Sequence, residues 1–167
     1  LGKPIPLLPL QLLWLNLLTD GLLGLGLGVE PAEENTMRRA PYSPREGVFS
    51  RGAGLQTAWI GVLIGALVLG VGSWYFFQGR ENWQTLVFTA LAFAQIGQAL
   101  ASRSGHASLF AIGLRSNPLM LAMVATVAVL QLLVIYLPPL QAFFNTQALG
   151  VLDLGVALGT GMVVFAV

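Results

Sequence analysis

Cysteine is absent from this 167-residue sequence, and charged residues make up only 9% of it. The first absence excludes disulfides, thiolate catalysis and cysteine-based metal sites. The fraction of charged residues lies well below the roughly one quarter that a soluble domain carries. A single histidine, His106, is too few for a histidine-rich metal site. The net charge of +1, with no basic stripe and interleaved aromatics, gives no sign of nucleic-acid binding.

The sequence consists largely of long apolar runs. Hydrophobic residues make up 56% of the chain, and the mean hydropathy is +0.77. The runs are roughly as long as the helix of about 20 residues that crosses a bilayer, and they lack the ten-residue alternation of barrel strands. The sequence therefore predicts an all-α integral membrane bundle of five transmembrane helices, one domain over residues 1–167. The predicted spans are about 7–28, 55–77, 83–101, 118–137 and 148–167.

Basic residues are unevenly divided between the two sides of this bundle. One side carries only Lys3 and Arg80, and the loops after the first and third spans carry six basic residues. By the positive-inside rule those loops are predicted to be cytoplasmic. The loop over residues 30–46 also contains prolines and both charge signs, which suits a solvated connector or a docking surface for another domain. The six basic residues are Arg38, Arg39, Arg45, Arg51, Arg103 and Arg115.

Asp20 lies inside the first apolar run, where a carboxylate costs at least ~2.5 kcal/mol on insertion scales. Asn16 and Thr19 precede it with helical i, i+3 and i+4 spacing, which predicts three oxygen-bearing side chains on one face. Clusters of oxygen ligands suit hard cations such as calcium or sodium. The segment is therefore predicted to form part of an ion pathway.

The residues around this cluster resemble a known family. The run from Leu8 to Gly21 closely resembles the sixth membrane helix of calcium-transporting P-type ATPases, and Met37 to Arg45 resembles the loop that follows it. The five predicted spans match helices six to ten of that family. The sequence starts at Leu1 without an initiator methionine and ends inside an apolar run. We therefore expect a fragment of a ten-helix membrane domain.

The resemblance implies which residues hold the ion. Asn16, Thr19 and Asp20 are expected to coordinate the transported cation near the membrane midplane. Gln95 stands where two-ion calcium pumps have a glutamate on the eighth helix, so a one-ion pump is expected. Asn16 stands where sodium-potassium pumps usually have an aspartate, which favours calcium or manganese as the transported ion.

The resemblance also implies what the rest of the protein supplies. ATP and magnesium would be used by phosphorylation, nucleotide-binding and actuator domains, and helices one to five would supply further ion ligands. The Asp-Lys-Thr-Gly-Thr and Thr-Gly-Glu loops of such pumps do not occur in this chain, so no catalytic residue is predicted within it. We expect these domains and the lipid bilayer to be its partners, and a bacterial plasma membrane to be its location.

Three alternative functions stay open on the sequence alone. The chain is compatible with a free-standing secondary transporter or channel-like bundle that carries the same polar triad. A sodium-exporting P-type ATPase shares parts of the pattern. A structural scaffold would require Asp20 to be satisfied by a neighbouring helix.

Glycines in the apolar spans give further expectations about packing and flexibility. The pairs Gly61/Gly65 and Gly155/Gly159 are predicted to allow close helix packing. The glycines at positions 21, 24, 26 and 28 are expected to loosen the first helix.

Three polar residues elsewhere in the spans have simpler roles. Thr126 and Gln131 are predicted to form interhelical hydrogen bonds. Asp153, near the outer end of the last span, is predicted to be solvated rather than to bind the ion.

Overall fold

The computed structural model describes residues 4–31, 47, 53–103 and 116–167, and the ranges below refer to those residues. They form helices and no strand, so the predicted all-α class is confirmed. Residues 32–46 of the predicted docking loop lie outside the described residues. They include the run from Met37 to Arg45 that resembles the known family. The helices are α1 Pro9–Gly28, α2 Ala53–Phe77, α3 Trp83–Ala101, α4 Pro118–Tyr136, α5 Pro138–Phe144 and α6 Val151–Ala166.

Helix starts follow from local chemistry. Pro9 opens α1, and the Gln11 side-chain oxygen accepts a hydrogen bond from the Leu8 N–H at 3.1 Å. Pro118 opens α4, and the preceding Asn117 accepts the Met120 N–H at 2.8 Å. Proline has no N–H to leave unsatisfied in the first turn, and side-chain oxygens satisfy the free donors there.

Among the described residues four helices, α1 to α4, are long and apolar enough to cross a membrane. The predicted fifth span corresponds to α6, which has 16 residues and begins later than expected, at Val151. Gly150 is extended and caps α6, so the residues before it do not continue the helix. Residues 138–147, which lie between the predicted fourth and fifth spans, contain the short helix α5. Pro138 starts α5, and Asn145, in the left-handed conformation, ends it.

α3 lies at the centre of the bundle. In its most apolar 18-residue window 67% of residues are buried, against 17% for α2. It packs most extensively on α6 and also contacts α1, α2 and α4. α1 packs mainly on α4. A helix buried on all sides must satisfy its polar groups within the bundle, so polar residues of α3 contact neighbouring helices.

Close packing of α3 on α6 depends on Gly97 and Gly161. A methyl group added at Gly97 would collide with the Gly161 carbonyl, and one added at Gly161 would lie 2.6 Å from the Phe93 carbonyl oxygen. The glycine pairs predicted from the sequence have a different environment. A methyl group at Gly61, Gly65, Gly155 or Gly159 would meet no described atom within 4 Å. The prediction of close packing at those pairs is therefore not met within the described part of the chain.

Candidate ion-binding site

α1 is not a uniform α-helix. Its residues Leu15–Thr19 form a π-helical turn between α-helical segments Pro9–Trp14 and Asp20–Gly28. The Asp20 N–H consequently bonds to the Leu15 carbonyl, five residues earlier. Single π turns inside α-helices occur frequently at functional sites. The glycine-rich segment that was expected to loosen the first helix is regular α-helix, and the irregular turn precedes it.

Two predicted site residues from different helices are in contact. Thr19 is fully buried, and its hydroxyl donates to the side-chain oxygen of Gln95 on α3 at 2.7 Å. The same hydroxyl also lies against the Leu15 carbonyl of the π turn. The sequence separation of 76 residues is bridged because α1 and α3 pack together at this level.

Asn16 and Asp20 lie on the uncovered side of the same turn. Both residues are exposed, whereas Thr19 is buried. Within the described residues neither the Asn16 nor the Asp20 side chain has a hydrogen-bond or ion-pair partner. The three residues therefore lie across the border between the covered and uncovered faces of α1, not together on one face as their spacing predicts. The π turn contributes to this, since it changes the angular spacing of successive side chains.

Buried polar contacts fix α1 on the side facing away from these oxygens. The Trp14 indole N–H donates to the Gln131 side-chain oxygen at 3.1 Å, and the Gln131 amide donates to the Thr89 hydroxyl at 3.3 Å. Gln11 is fully buried and donates to the Phe144 carbonyl at 3.1 Å. The interhelical bond predicted for Gln131 is confirmed. The roles of Gln11 and Trp14 were not predicted, although both lie in the same apolar run as Asn16.

Two other polar predictions are wrong. Thr126 donates to the Ala122 carbonyl of its own helix at 2.7 Å, not to another helix. Asp153 is buried, not solvated, with 6% of its surface exposed. Tyr75 donates to its carboxylate at 2.8 Å, Arg80 at 3.0 Å and Asn82 at 2.8 Å. These partners precede Asp153 by more than 70 residues, which is why its local sequence did not reveal them.

The chemistry at the π turn is that of neutral oxygens with one carboxylate. No group of three or more His, Cys, Asp or Glu side chains occurs within the ranges that the structure describes. Amide, hydroxyl, carboxylate and carbonyl oxygens suit hard cations, and they do not suit soft metals that need sulfur.

Comparison with known proteins assigns the chain to a family. Residues 4–167 match the family model for "Cation transporting ATPase, C-terminus". The chain belongs to this family.

Similar proteins in this family come from bacteria and animals. A calcium-transporting ATPase of Bacillus subtilis is 38% identical over 152 residues, covering 89% of this chain and 17% of that protein. The human calcium-transporting ATPase type 2C member 1 is 35% identical over 163 residues, covering 93% and 17% respectively. A calcium-transporting ATPase 1 of Bacillus cereus is 32% identical over 176 residues, covering 95% and 20%. This cation-transporting ATPase C-terminal chain thus spans about a fifth or less of their lengths.

The family assignment and the apolar helices together define the protein's environment. The described part of this C-terminal ATPase region contains four helices long and apolar enough for spans, and a shorter apolar helix, α6. It is a multi-pass integral membrane region.

Proposed function

We propose that this chain is the C-terminal membrane domain of an ATP-driven calcium pump and supplies part of the ion-binding site. The observation that carries the proposal is the contact between Thr19 and Gln95 at the π turn of α1. It joins two predicted ligands from separate helices beside the exposed oxygens of Asn16 and Asp20.

The proposed ligands are Asn16, Thr19, Asp20 and Gln95. Calcium binds six to eight oxygens, so four side chains leave room for ligands from other membrane helices of the same protein. The uncovered position of Asn16 and Asp20 fits such completion. Asp20 is the only carboxylate among the four, which favours one ion per cycle over two.

Calcium is the proposed ion because the similar proteins are calcium-transporting ATPases, and manganese is the alternative that the test below includes. In the complete pump, magnesium and ATP would be used by phosphorylation, nucleotide-binding and actuator domains outside this chain. The free-standing transporter has no specific observation in its favour. Similarity to Bacillus proteins supports a bacterial plasma membrane, with cation moved out of the cytoplasm.

The test replaces Asp20 by Asn in the full-length protein. Phosphorylation by ATP is measured as a function of calcium, manganese or sodium concentration. We expect Asp20→Asn to abolish high-affinity calcium-stimulated phosphorylation, since the substitution removes the one negative ligand while keeping the side-chain shape.

Asp153→Asn is the matched control. It also neutralises a carboxylate, but a buried one that forms an ion pair with Arg80 and a hydrogen bond with Asn82 just before α3. The calcium dependence of the folded control protein should equal that of the wild type. Wild-type calcium dependence in Asp20→Asn would refute the proposal, and stimulation by manganese or sodium alone would refute the choice of ion.

A further inference from the structure

Four polar residues meet where α1 and α3 end and α4 begins: Glu30, Arg103, Ser116 and Asn117, here called the Arg103 cluster. The Arg103 guanidinium donates from Nε to the two Glu30 oxygens at 3.2 and 3.0 Å, and from Nη2 to one of them at 2.8 Å. Nη2 also donates to the Ser116 hydroxyl at 2.7 Å. Asn117 donates to the second Glu30 oxygen at 2.8 Å.

The cluster is shielded from solvent. The Arg103 side chain is 1% exposed and that of Glu30 is 15% exposed. Arg103 Nη1 is buried without a hydrogen-bond partner, which is costly for a donor. Buried ion pairs lose much of their attraction to desolvation, so they add little net stability, yet removing one partner is damaging. The forked geometry of the pair therefore points to a role in orientation.

The cluster holds the backbone of α1 directly. Asn117 donates through the same amide nitrogen to the Gly26 carbonyl at 2.9 Å. Gly26 also packs against the first turn of α4, because a methyl group added there would lie 3.1 Å from the Met120 Cα. The last turn of α1 is thus fixed both by packing and by a side chain that belongs to the Arg103 cluster.

A continuous α-helix connects this anchor to the proposed ion site. Asp20–Gly28 is regular, and Gly26 lies about 9 Å along the axis from Asp20. At the other end of the segment are the π turn and the contact between Thr19 and Gln95. A shift or rotation at Gly26 would therefore be carried to the Asp20 carboxylate, because an α-helical segment of this length moves as a unit.

We propose that the Arg103 cluster is a positioning device for the ion site, which sets the depth and rotation of Asp20 and thereby the affinity for the transported cation. The inference rests on the proposed function. None of the four residues is among the proposed ion ligands, so each is a positioning residue.

Asn117→Ser in the full-length protein is the sharpest variant. Serine retains an oxygen that caps α4, whereas it loses the amide that donates to Gly26 and Glu30. The measurement is calcium-dependent phosphorylation, with the half-saturating calcium concentration and the maximal phosphoenzyme per folded protein determined separately. We expect the half-saturating concentration to rise about five-fold, the order of one lost hydrogen bond, with the maximum unchanged.

Arg103→Lys provides a second variant, which keeps the charge but loses the fork that binds both Glu30 oxygens. It should shift the half-saturating calcium concentration in the same direction. Asp153→Asn, which breaks the ion pair with Arg80 at the opposite end of α3 from Arg103, should lower thermal stability without changing the calcium dependence. Wild-type calcium dependence in both cluster variants, or an equal shift in Asp153→Asn, would overturn the inference.

The Asp20→Asn variant separates this inference from the proposed function. If Asp20→Asn loses calcium stimulation while both cluster variants retain wild-type affinity, only the inference fails. If Asp20→Asn retains wild-type calcium dependence, the proposed function fails and the inference fails with it.

Discussion

In the proposed ion site, the Thr19 hydroxyl serves both the fold and the bound cation. Its single proton is directed either to the Leu15 carbonyl or to the Gln95 side-chain oxygen, both of which can only accept. The hydroxyl oxygen therefore keeps its lone pairs, which is what a cation needs. The hydrogen bond to Gln95 also fixes the amide oxygen beside it, so the proposed ligands on α1 and α3 position each other.

Glu30 gives the protein a defined response to acid. Hydrogen bonds from the Arg103 guanidinium lower the pKa of this carboxyl below its ordinary value of 4.5, although partial burial opposes the shift. A carboxyl whose pKa is lowered by folding contributes stability above its unfolded pKa and loses it as the pH falls through the folded pKa. We expect the wild-type protein to lose thermal stability as the pH falls below about 4.5.

The Glu30→Gln variant tests that response. Without the carboxyl group, its melting temperature should be lower at neutral pH, and the difference from the wild type should shrink as the pH falls below 4.5. Thermal unfolding of the detergent-purified protein over a pH series measures this. A difference that stays constant across that range would show that protonation of Glu30 is not coupled to folding.

At the scale of helices, the contact between α3 and α6 is predicted to be the least tolerant of added volume. Gly97→Ala places a methyl group against the Gly161 carbonyl, a backbone atom that a rotamer change cannot move aside. Overpacking of this kind typically costs about 1–3 kcal/mol. We expect a clear fall in melting temperature for the purified full-length protein.

Gly155→Ala is the matched control for that substitution. It lies on α6, within a predicted small-residue pair, and an added methyl group there meets no described atom within 4 Å. Since alanine has the higher helix propensity, its melting temperature should equal or exceed that of the wild type. Equal losses in the two variants would show that the change in helix composition, not the contact at Gly161, is responsible.

The sequence predicted the helices well because length and hydropathy alone determine which segments can span a membrane. The bounds of α3 agree with the predicted span at both ends, 83 and 101. The sequence did not predict which glycines make close contacts, because a small residue shows only that a helix can be approached. Gly97 packs closely since Gly161 happens to face it, and that depends on the arrangement of both helices.

The candidate site was predictable in composition but not in geometry. Asn16, Thr19 and Asp20 stand out as polar residues in an apolar run, whatever the fold. Their division between buried and exposed faces follows from the π turn and from Gln95, which is 76 residues away from Thr19 in the sequence. The family resemblance, not the local pattern, drew attention to Gln95.

For the whole molecule, the uncovered surfaces are consistent with a larger assembly. In the most apolar 18-residue window of α2 only 17% of the residues are buried, and Asn16 and Asp20 are exposed on α1. Apolar α2 can face lipid, whereas a bare carboxylate at membrane depth is costly there. The surface around Asp20 is therefore where we expect the other membrane helices of the proposed pump to pack.

The orientation of the bundle gives a final prediction. α3 has 19 residues and a length of about 28 Å, so its two ends lie on opposite sides of the membrane if it spans. Glu81 lies just before α3 and Ser102 just after it, and both are exposed. The positive-inside rule puts the Ser102 end in the cytoplasm. Because this chain has no cysteine, single cysteines at the two positions act as reporters once any others in the full-length protein are replaced.

In intact cells, a membrane-impermeant maleimide should label Glu81→Cys but not Ser102→Cys. After permeabilisation both variants should react, which shows that Ser102→Cys is accessible from inside. The reverse pattern would mean that the bundle is inverted, and the proposed export from the cytoplasm would then have the wrong direction. Labelling of both positions in intact cells would mean that α3 does not separate the two compartments, although 67% of its apolar window is buried within the bundle.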